Sequence, residues 1–348
     1  MKKLSIAYFG SSYFSADFLE KLLTNQSINR LIDTKFVVTQ PDKKVGRKQI
    51  LTPTPVKQIA SKYKIQTIEV GRWKMGIEAG QENRSKKIEK NPTSNFQLPN
   101  PYPNLSFILK SLDLVLVFAY GSIIPQELLT LPKYGFWCLH PSLLPKYRGT
   151  SPMATALING DKETGVTIIK MDEEIDHGPI IAQEKYQILP TDRRPDLEKK
   201  LTELGFLMFK KLLMKGEDTF FETIARGPRG GKPLLKEQDH SKTTYTKKLS
   251  KQDGFVEISK LKNQISKNSE ELLNLFRGLT PWPGIWTMVE PSRLRRSETT
   301  GKPGRLNEKR LKIVDMVMID GQLVIKKVQL EGKNEVDFET FNKAYKVF

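Results

Sequence analysis

Leu114-Val115-Leu116-Val117-Phe118 is apolar at every position, with no alternation. A strand of this kind has no face to give to water. It must lie inside a sheet covered on both sides, and such sheets are largely parallel. Residues 4–9, Leu-Ser-Ile-Ala-Tyr-Phe, read as a second buried strand, stopped by Gly10-Ser11-Ser12. Ser15 is expected to cap a helix bearing Phe18, Leu19, Leu22 and Leu23, and Phe36–Thr39 is a further strand. Thr54-Pro55 opens a helix with Val56, Ile59, Ala60 and Tyr63 on one face and proline at its first position. Ser151-Pro152 starts a short helix that Gly160 ends. Val166–Met171 and Pro179–Ile188 read as strands, and Leu197, Leu201, Leu204, Met208 and Leu212 mark a long amphipathic helix to Gly216. Strands alternating with helices define an α/β class with an open, mostly parallel, Rossmann-like sheet over residues 1–216. Ligands of such sheets bind beyond the carboxyl ends of the strands.

A chain of 348 residues is long enough for two cores. Residues 217–243 read as a linker, since Gly227-Pro228-Arg229-Gly230-Gly231-Lys232-Pro233 holds only turn residues and cations. From Thr244 the chain turns to short strand-like runs: Phe255–Ile258, Ile285–Val289, Leu311–Ile319 and Leu323–Leu330. Turns such as Asp320-Gly321 separate them, and a small β-barrel over 244–348 is expected. Two inserts stand out, a polar one at 71–105, expected to form a surface excursion, and a basic one at 291–308, expected at a hairpin tip.

Composition excludes several classes. No run approaches 18 apolar residues, so no membrane-spanning helix is expected. The apolar run at the N-terminus is too short for a secretory signal. One cysteine leaves no internal disulfide and fits a reducing cytoplasm. Fifty-seven basic against 39 acidic residues give a net charge of +18, which points to a polyanion such as nucleic acid; a generally basic proteome is the bland alternative. The stretch after Phe9 is not a G-x-G-x-x-G fingerprint, which argues against a nicotinamide enzyme, and no P-loop occurs. One cysteine and three histidines (140, 177 and 240) make no metal site expected.

Two turns carry the candidate chemistry. His140 stands in Cys138-Leu139-His140-Pro141-Ser142-Leu143-Leu144-Pro145, where prolines 141 and 145 stiffen the backbone. An imidazole held there can exchange a proton near neutral pH; a lone histidine is otherwise a packed or solvated residue. Asp176 precedes His177-Gly178-Pro179. It is either a turn former or the carboxylate that orients His140. His177 either tunes the site or faces solvent, and solvent is expected. Asp42–Gln49 is a short basic loop whose cations either reach phosphates or are simply solvated.

Taken together these residues resemble the methionyl-tRNA formyltransferase family. His140–Gly149 match its pattern Asn-x-His-Pro-Ser-Leu-Leu-Pro-x-x-Arg-Gly, and Thr164–Ile168 with Asp176–Gly178 match Thr-Gly-Val-Thr-Ile followed by Asp-x-Gly. These motifs are shared by the 10-formyltetrahydrofolate-dependent formyltransferases and set the chemistry, not the acceptor. Thr39–Asp42, the Gly46-Arg47 loop, Thr52–Lys57, Ala119-Tyr120-Gly121, Thr244-Tyr245, Lys251–Gly254, Pro281–Gly284 and Gln329–Lys333 resemble segments of the tRNA-dependent branch.

The resemblance implies formyl transfer from 10-formyltetrahydrofolate to initiator methionyl-tRNA by a monomer. It implies His140 and Asp176 at the reacting amine. Ser142, Leu143, Leu144, Pro145, Ala119, Tyr120 and Gly121 would line the folate side. Arg47, Lys43, Lys44 and Lys48 would meet the acceptor stem, and the C-terminal domain would hold the tRNA phosphates. One position departs from the pattern: Cys138 stands where the family has the asparagine that donates to the formyl oxygen. Losing such a donor costs about 100- to 1000-fold. The enzyme is then slow but sufficient, or another group supplies the donor, or the chain binds tRNA without turnover; a fourth reading, Cys138 as a covalent nucleophile, has no evident activating partner beyond His140. A small-acceptor formyltransferase is the remaining alternative, since Gly178–Gln183 resembles the glycinamide ribonucleotide enzyme.

Overall fold

The computed structural model describes residues 3–46, 48–71, 105–214, 235–267, 269–290 and 308–348. Most of the 71–105 insert, nearly all of 291–308, the glycine-rich part of the linker, Gly216 and Arg47 therefore lie outside the described residues. The chain divides into two compact units: Met1–His140 with Val166–Glu184 and Thr202–His240, and Pro141–Gly165 with Lys185–Leu201 and Ser241–Phe348.

A seven-stranded sheet is built from β1 (Leu4–Gly10), β2 (Ile32–Thr39), β5 (Gln66–Glu69), β6 (Leu114–Phe118), β7 (Phe136–His140), β9 (Glu163–Lys170) and β10 (Ile180–Gln187). Its order is β10-β9-β7-β6-β1-β2-β5. The β1–β2, β1–β6, β2–β5 and β6–β7 pairs are parallel, and β7–β9 is antiparallel. β6, apolar throughout, and β1, buried from Ile6 onward, are neighbours well inside the sheet, as burial on both faces requires. From β1 the chain proceeds to β2 on one side and later to β6 on the other. That reversal is a topological switch point, where open α/β sheets bind ligands.

Both faces are covered. On one, Phe18 of α1 (Tyr13–Thr24) meets Phe118, and Phe206 and Phe209 of α7 (Arg194–Met214), with ring centroids 5.5, 6.0 and 6.4 Å away. On the other, Ala7, Phe9, Phe36, Leu105, Leu109, Val115 and Phe136 form a continuous core. Gly205 brings α7 close to the sheet: a Cβ there would stand 3.0 Å from a Leu139 methyl.

Helix starts partly follow the expected caps. Thr54 caps α3 (Pro55–Lys62), its side chain accepting from Lys57 N–H at 3.2 Å. For α1 the cap is Ser12, not Ser15. Ser15 is buried inside the first turn, where Tyr8 Oη donates to its carbonyl at 2.8 Å. Burial pushes the Tyr8 phenol far up, so it stays protonated and able to donate. The basic 42–49 segment is a hairpin rather than a plain loop: β3 (Lys43–Val45) pairs antiparallel with β4 (Ile50–Thr52).

In the second unit, β12 (Ile285–Val289), β13 (Lys309–Ile319), β14 (Gln322–Leu330) and β15 (Glu335–Asp337) form a four-stranded antiparallel sheet in that order. This sheet is what the described residues show of the expected barrel. Phe255 contributes a single parallel bridge to Trp286 and then gives way to a helix at Ile258–Lys267, so Phe255–Ile258 is not a strand. A second helix, Ser269–Leu279, carries Leu272 and Phe276 into the core with Ile285, Leu311, Ile313 and Val328. No helix among the described residues is long and apolar enough to cross a membrane.

Candidate active site

His140 is the last residue of β7 and Cys138 stands two before it, so both side chains project from the same face of the strand. The β6–β7 register pairs Val117 with Cys138 and carries Ala119 to the level of His140 on the adjacent strand. On the other side His140 pairs with Thr167 of β9. The site therefore sits at the carboxyl ends of β6 and β7, beside the switch point.

Asp176 reaches this place from the turn between β9 and β10. His140 Nδ1 and Asp176 Oδ2 are 3.4 Å apart, with the imidazole buried and the carboxylate nearly so. That is long for a hydrogen bond but within reach of an ion pair. Asp176 adopts φ +49°, the left-handed region, which Asp tolerates better than most residues. Gly178 allows the turn to close: a Cβ there would lie 1.8 Å from the Lys170 carbonyl oxygen. Gly178→Ala should therefore displace the turn and lower stability by about 1–3 kcal/mol, read as a lower urea midpoint.

Three further contacts hold the turn, and none was legible in the sequence. His177 does not simply face solvent. Its Nδ1 lies 2.7 Å from Asp172 Oδ2, and its ring stacks on His240 at 4.2 Å. Gln238, buried, donates from Nε2 to the carbonyls of Asp176 (2.9 Å) and Gly178 (2.8 Å).

Cys138 is half-buried. Burial, and then the negative charge of Asp176, push its thiol well above its ordinary range, so it is protonated at neutral pH. A neutral thiol is a weak donor and a poor nucleophile.

Ala119, Tyr120 and Gly121 form a rigid wall beyond β6, with φ +48° at Ala119 and +79° at Gly121. Ser11 donates from its backbone N–H to the Ala119 carbonyl (3.2 Å) and from its hydroxyl to that of Tyr120 (2.9 Å). Gln40 Nε2 donates to the Gly121 carbonyl (2.6 Å). Ser142, Leu143, Leu144 and Pro145 follow His140 in sequence but belong to the second unit. There Ser142 and Leu144 are buried, and Ser142 Oγ donates to the Lys146 carbonyl at 2.6 Å. The Pro145 carbonyl accepts from Thr244 N–H, so this turn is tied to the segment that opens the C-terminal region.

The basic hairpin is anchored at its base and exposed at its tip. Lys57 Nζ bridges Asp42 (2.9 Å) and Glu69 (2.6 Å), and Lys43 Nζ donates to Gln40 Oε1. Lys44 and Lys48 are exposed, with no acidic partner among the described residues; Val45 and Ile50 beside them are exposed too. Among the described residues no cluster of three or more His, Cys, Asp or Glu is placed to hold a metal.

A buried imidazole beside a carboxylate at a sheet switch point suits proton transfer to or from a substrate amine. Comparison with known proteins agrees. The formyl transferase family profile matches residues 2–212, and the formyl transferase C-terminal domain profile matches 248–346. A methionyl-tRNA formyltransferase of Caldicellulosiruptor saccharolyticus is 34% identical over 99% of this chain and 98% of its own length. That of Thermotoga maritima is 32% identical over 96% of this chain and 93% of its own. Among solved structures, the N-formyltransferase of Helicobacter canadensis shares the fold with a TM-score of 0.51 at 18% identity, over 95% of this chain and all of that one. The chain thus belongs to the methionyl-tRNA formyltransferase family and is a formyltransferase.

Proposed function

We propose that the chain transfers the formyl group of 10-formyltetrahydrofolate to the α-amine of initiator methionyl-tRNA, in the cytoplasm and as a monomer. Likeness over the whole chain to relatives named for that reaction carries this reading. Residues 1–216 would supply catalysis and 244–348 would hold the tRNA. The folate supplies the formyl carbon when bound. The Ala119–Gly121 wall, whose three carbonyls are already engaged, would offer it a fixed edge beside His140 rather than a mobile loop.

With Nδ1 turned to Asp176, His140 would exchange protons through Nε2. It takes the proton that the amine loses as the new C–N bond forms and returns one to the departing nitrogen. Asp176 keeps the ring oriented and stabilises the imidazolium. Cys138 would offer its S–H to the formyl oxygen, a poorer donor than an amide N–H. Lys43, Lys44, Arg47 and Lys48 would meet phosphates of the acceptor stem, a role the net charge of +18 supports.

The test compares formylation of initiator methionyl-tRNA with that of glycinamide ribonucleotide. Transfer to the tRNA alone is expected, and transfer to the small amine alone overturns the assignment. Binding should also weaken steeply with salt, by about 10³- to 10⁵-fold between roughly 50 and 200 mM if six to ten phosphates are engaged. Replacing Lys44 and Lys48 by alanine should flatten the slope of log affinity against log salt by roughly one to two, measured by filter binding.

A further inference from the structure

The proposed mechanism needs Asp176 held against His140, yet the Asp176 backbone sits in the left-handed region at φ +49°. A non-glycine residue there costs about 1–3 kcal/mol and persists only when its surroundings over-determine it. The over-determining element is a segment with no catalytic motif, residues 236–240. Lys236 forms an antiparallel bridge with Ile180, its N–H and carbonyl exchanging bonds of 3.2 and 2.8 Å. Two residues on, Gln238 places its amide nitrogen between the Asp176 and Gly178 carbonyls. Two residues further, His240 stacks on His177, with ring planes 8° apart. The segment thus splints the turn at three successive points.

The chemistry of the middle contact singles it out. Both partners of the Gln238 amide nitrogen are carbonyl oxygens, so both of its hydrogens are used. Apolar, acidic or hydroxylic residues cannot repeat it. The bonds hold the Asp176–His177 and Gly178–Pro179 peptide planes, one before and one beyond His177, which sets where the Asp176 carboxylate points.

We propose that Gln238 is the positioning residue of Asp176, acting on formyl transfer through two backbone carbonyls and touching no substrate. This rests on the catalytic reading of Asp176. It predicts a loss in kcat with little change in KM for tRNA or folate, because the turn, not a binding surface, is disturbed.

The test is a double-mutant cycle on the full chain, with formylation of methionyl-tRNA as the readout. Gln238→Met should lower kcat by about 10- to 100-fold, the scale of an ångström-level misplacement. In an Asp176→Asn background the same change should cost less than about twofold, since groups acting through one another are not additive. A residue that merely stabilises the unit would give equal losses in both backgrounds, and that result overturns the proposal. If Gln238→Met does not accumulate as folded protein, the isosteric Gln238→Glu carries the same comparison; parental kcat in that variant also overturns the proposal. Asp176→Asn alone with parental kcat would instead sink the catalytic reading of Asp176, so the two failures are distinguishable.

Discussion

Replacing His140 with alanine is expected to lower the single-turnover rate of formyl transfer by about 100- to 10,000-fold, the contribution of a positioned general base. Affinity for tRNA should stay within about twofold, because the residue lies at the end of β7, away from the basic hairpin, and adds no phosphate contact. The imidazole is buried, with Asp176 Oδ2 3.4 Å from Nδ1, so its removal would delete the proposed proton acceptor together with the group that Asp176 is proposed to orient. Asp176→Ala should then add little to His140→Ala, as in other pairs that act as a unit. Rates in His140→Ala close to the parental value would mean that some other group accepts the amine proton.

Replacing Cys138 with asparagine should raise the rate, by about 10-fold or more and at most by the 100- to 1000-fold that an oxyanion donor supplies. On the family resemblance Cys138 stands where an amide would donate to the formyl oxygen, and its thiol is protonated at neutral pH because burial and the Asp176 charge oppose ionisation. It can therefore donate, but weakly. Cys138→Ala separates two cases: a further loss shows that the S–H takes part, and an unchanged rate shows that another donor has replaced it. An unchanged rate in Cys138→Asn, with the protein folded, would contradict the account of this position.

The central sheet is readable because β6 lacks alternation, and that one fact places it inside a mostly parallel sheet. The helix at Pro55 was readable because Thr54 and Pro55 signal a start independently of tertiary context. The start of α1 was misplaced because Ser12 and Ser15 precede the same apolar stripe. Only the hydrogen bond from Tyr8 shows that Ser15 is taken inward. The helices Ile258–Lys267 and Ser269–Leu279 are not expected from the sequence, although Leu261 and Ile265, then Leu272, Leu275, Phe276 and Leu279, repeat at helical spacing. The β-rich texture of the neighbouring sequence masked that period. The hairpin at 43–52 has three-residue strands, too short to show alternation. His140 and Asp176 could be nominated from their turns, but their approach depends on how β7 and β9 pair. Gln238 could not be nominated at all, because its partners lie 62 and 60 residues away and a glutamine between charged neighbours carries no local signal.

The most direct measurement is formylation of initiator methionyl-tRNA by the purified protein with 10-formyltetrahydrofolate, in single turnover at low salt, alongside His140→Ala. The account predicts that the parental chain yields formylmethionyl-tRNA and that the product all but disappears in the variant. Tight tRNA binding with no product from the parental chain, not rescued by Cys138→Asn, would contradict it.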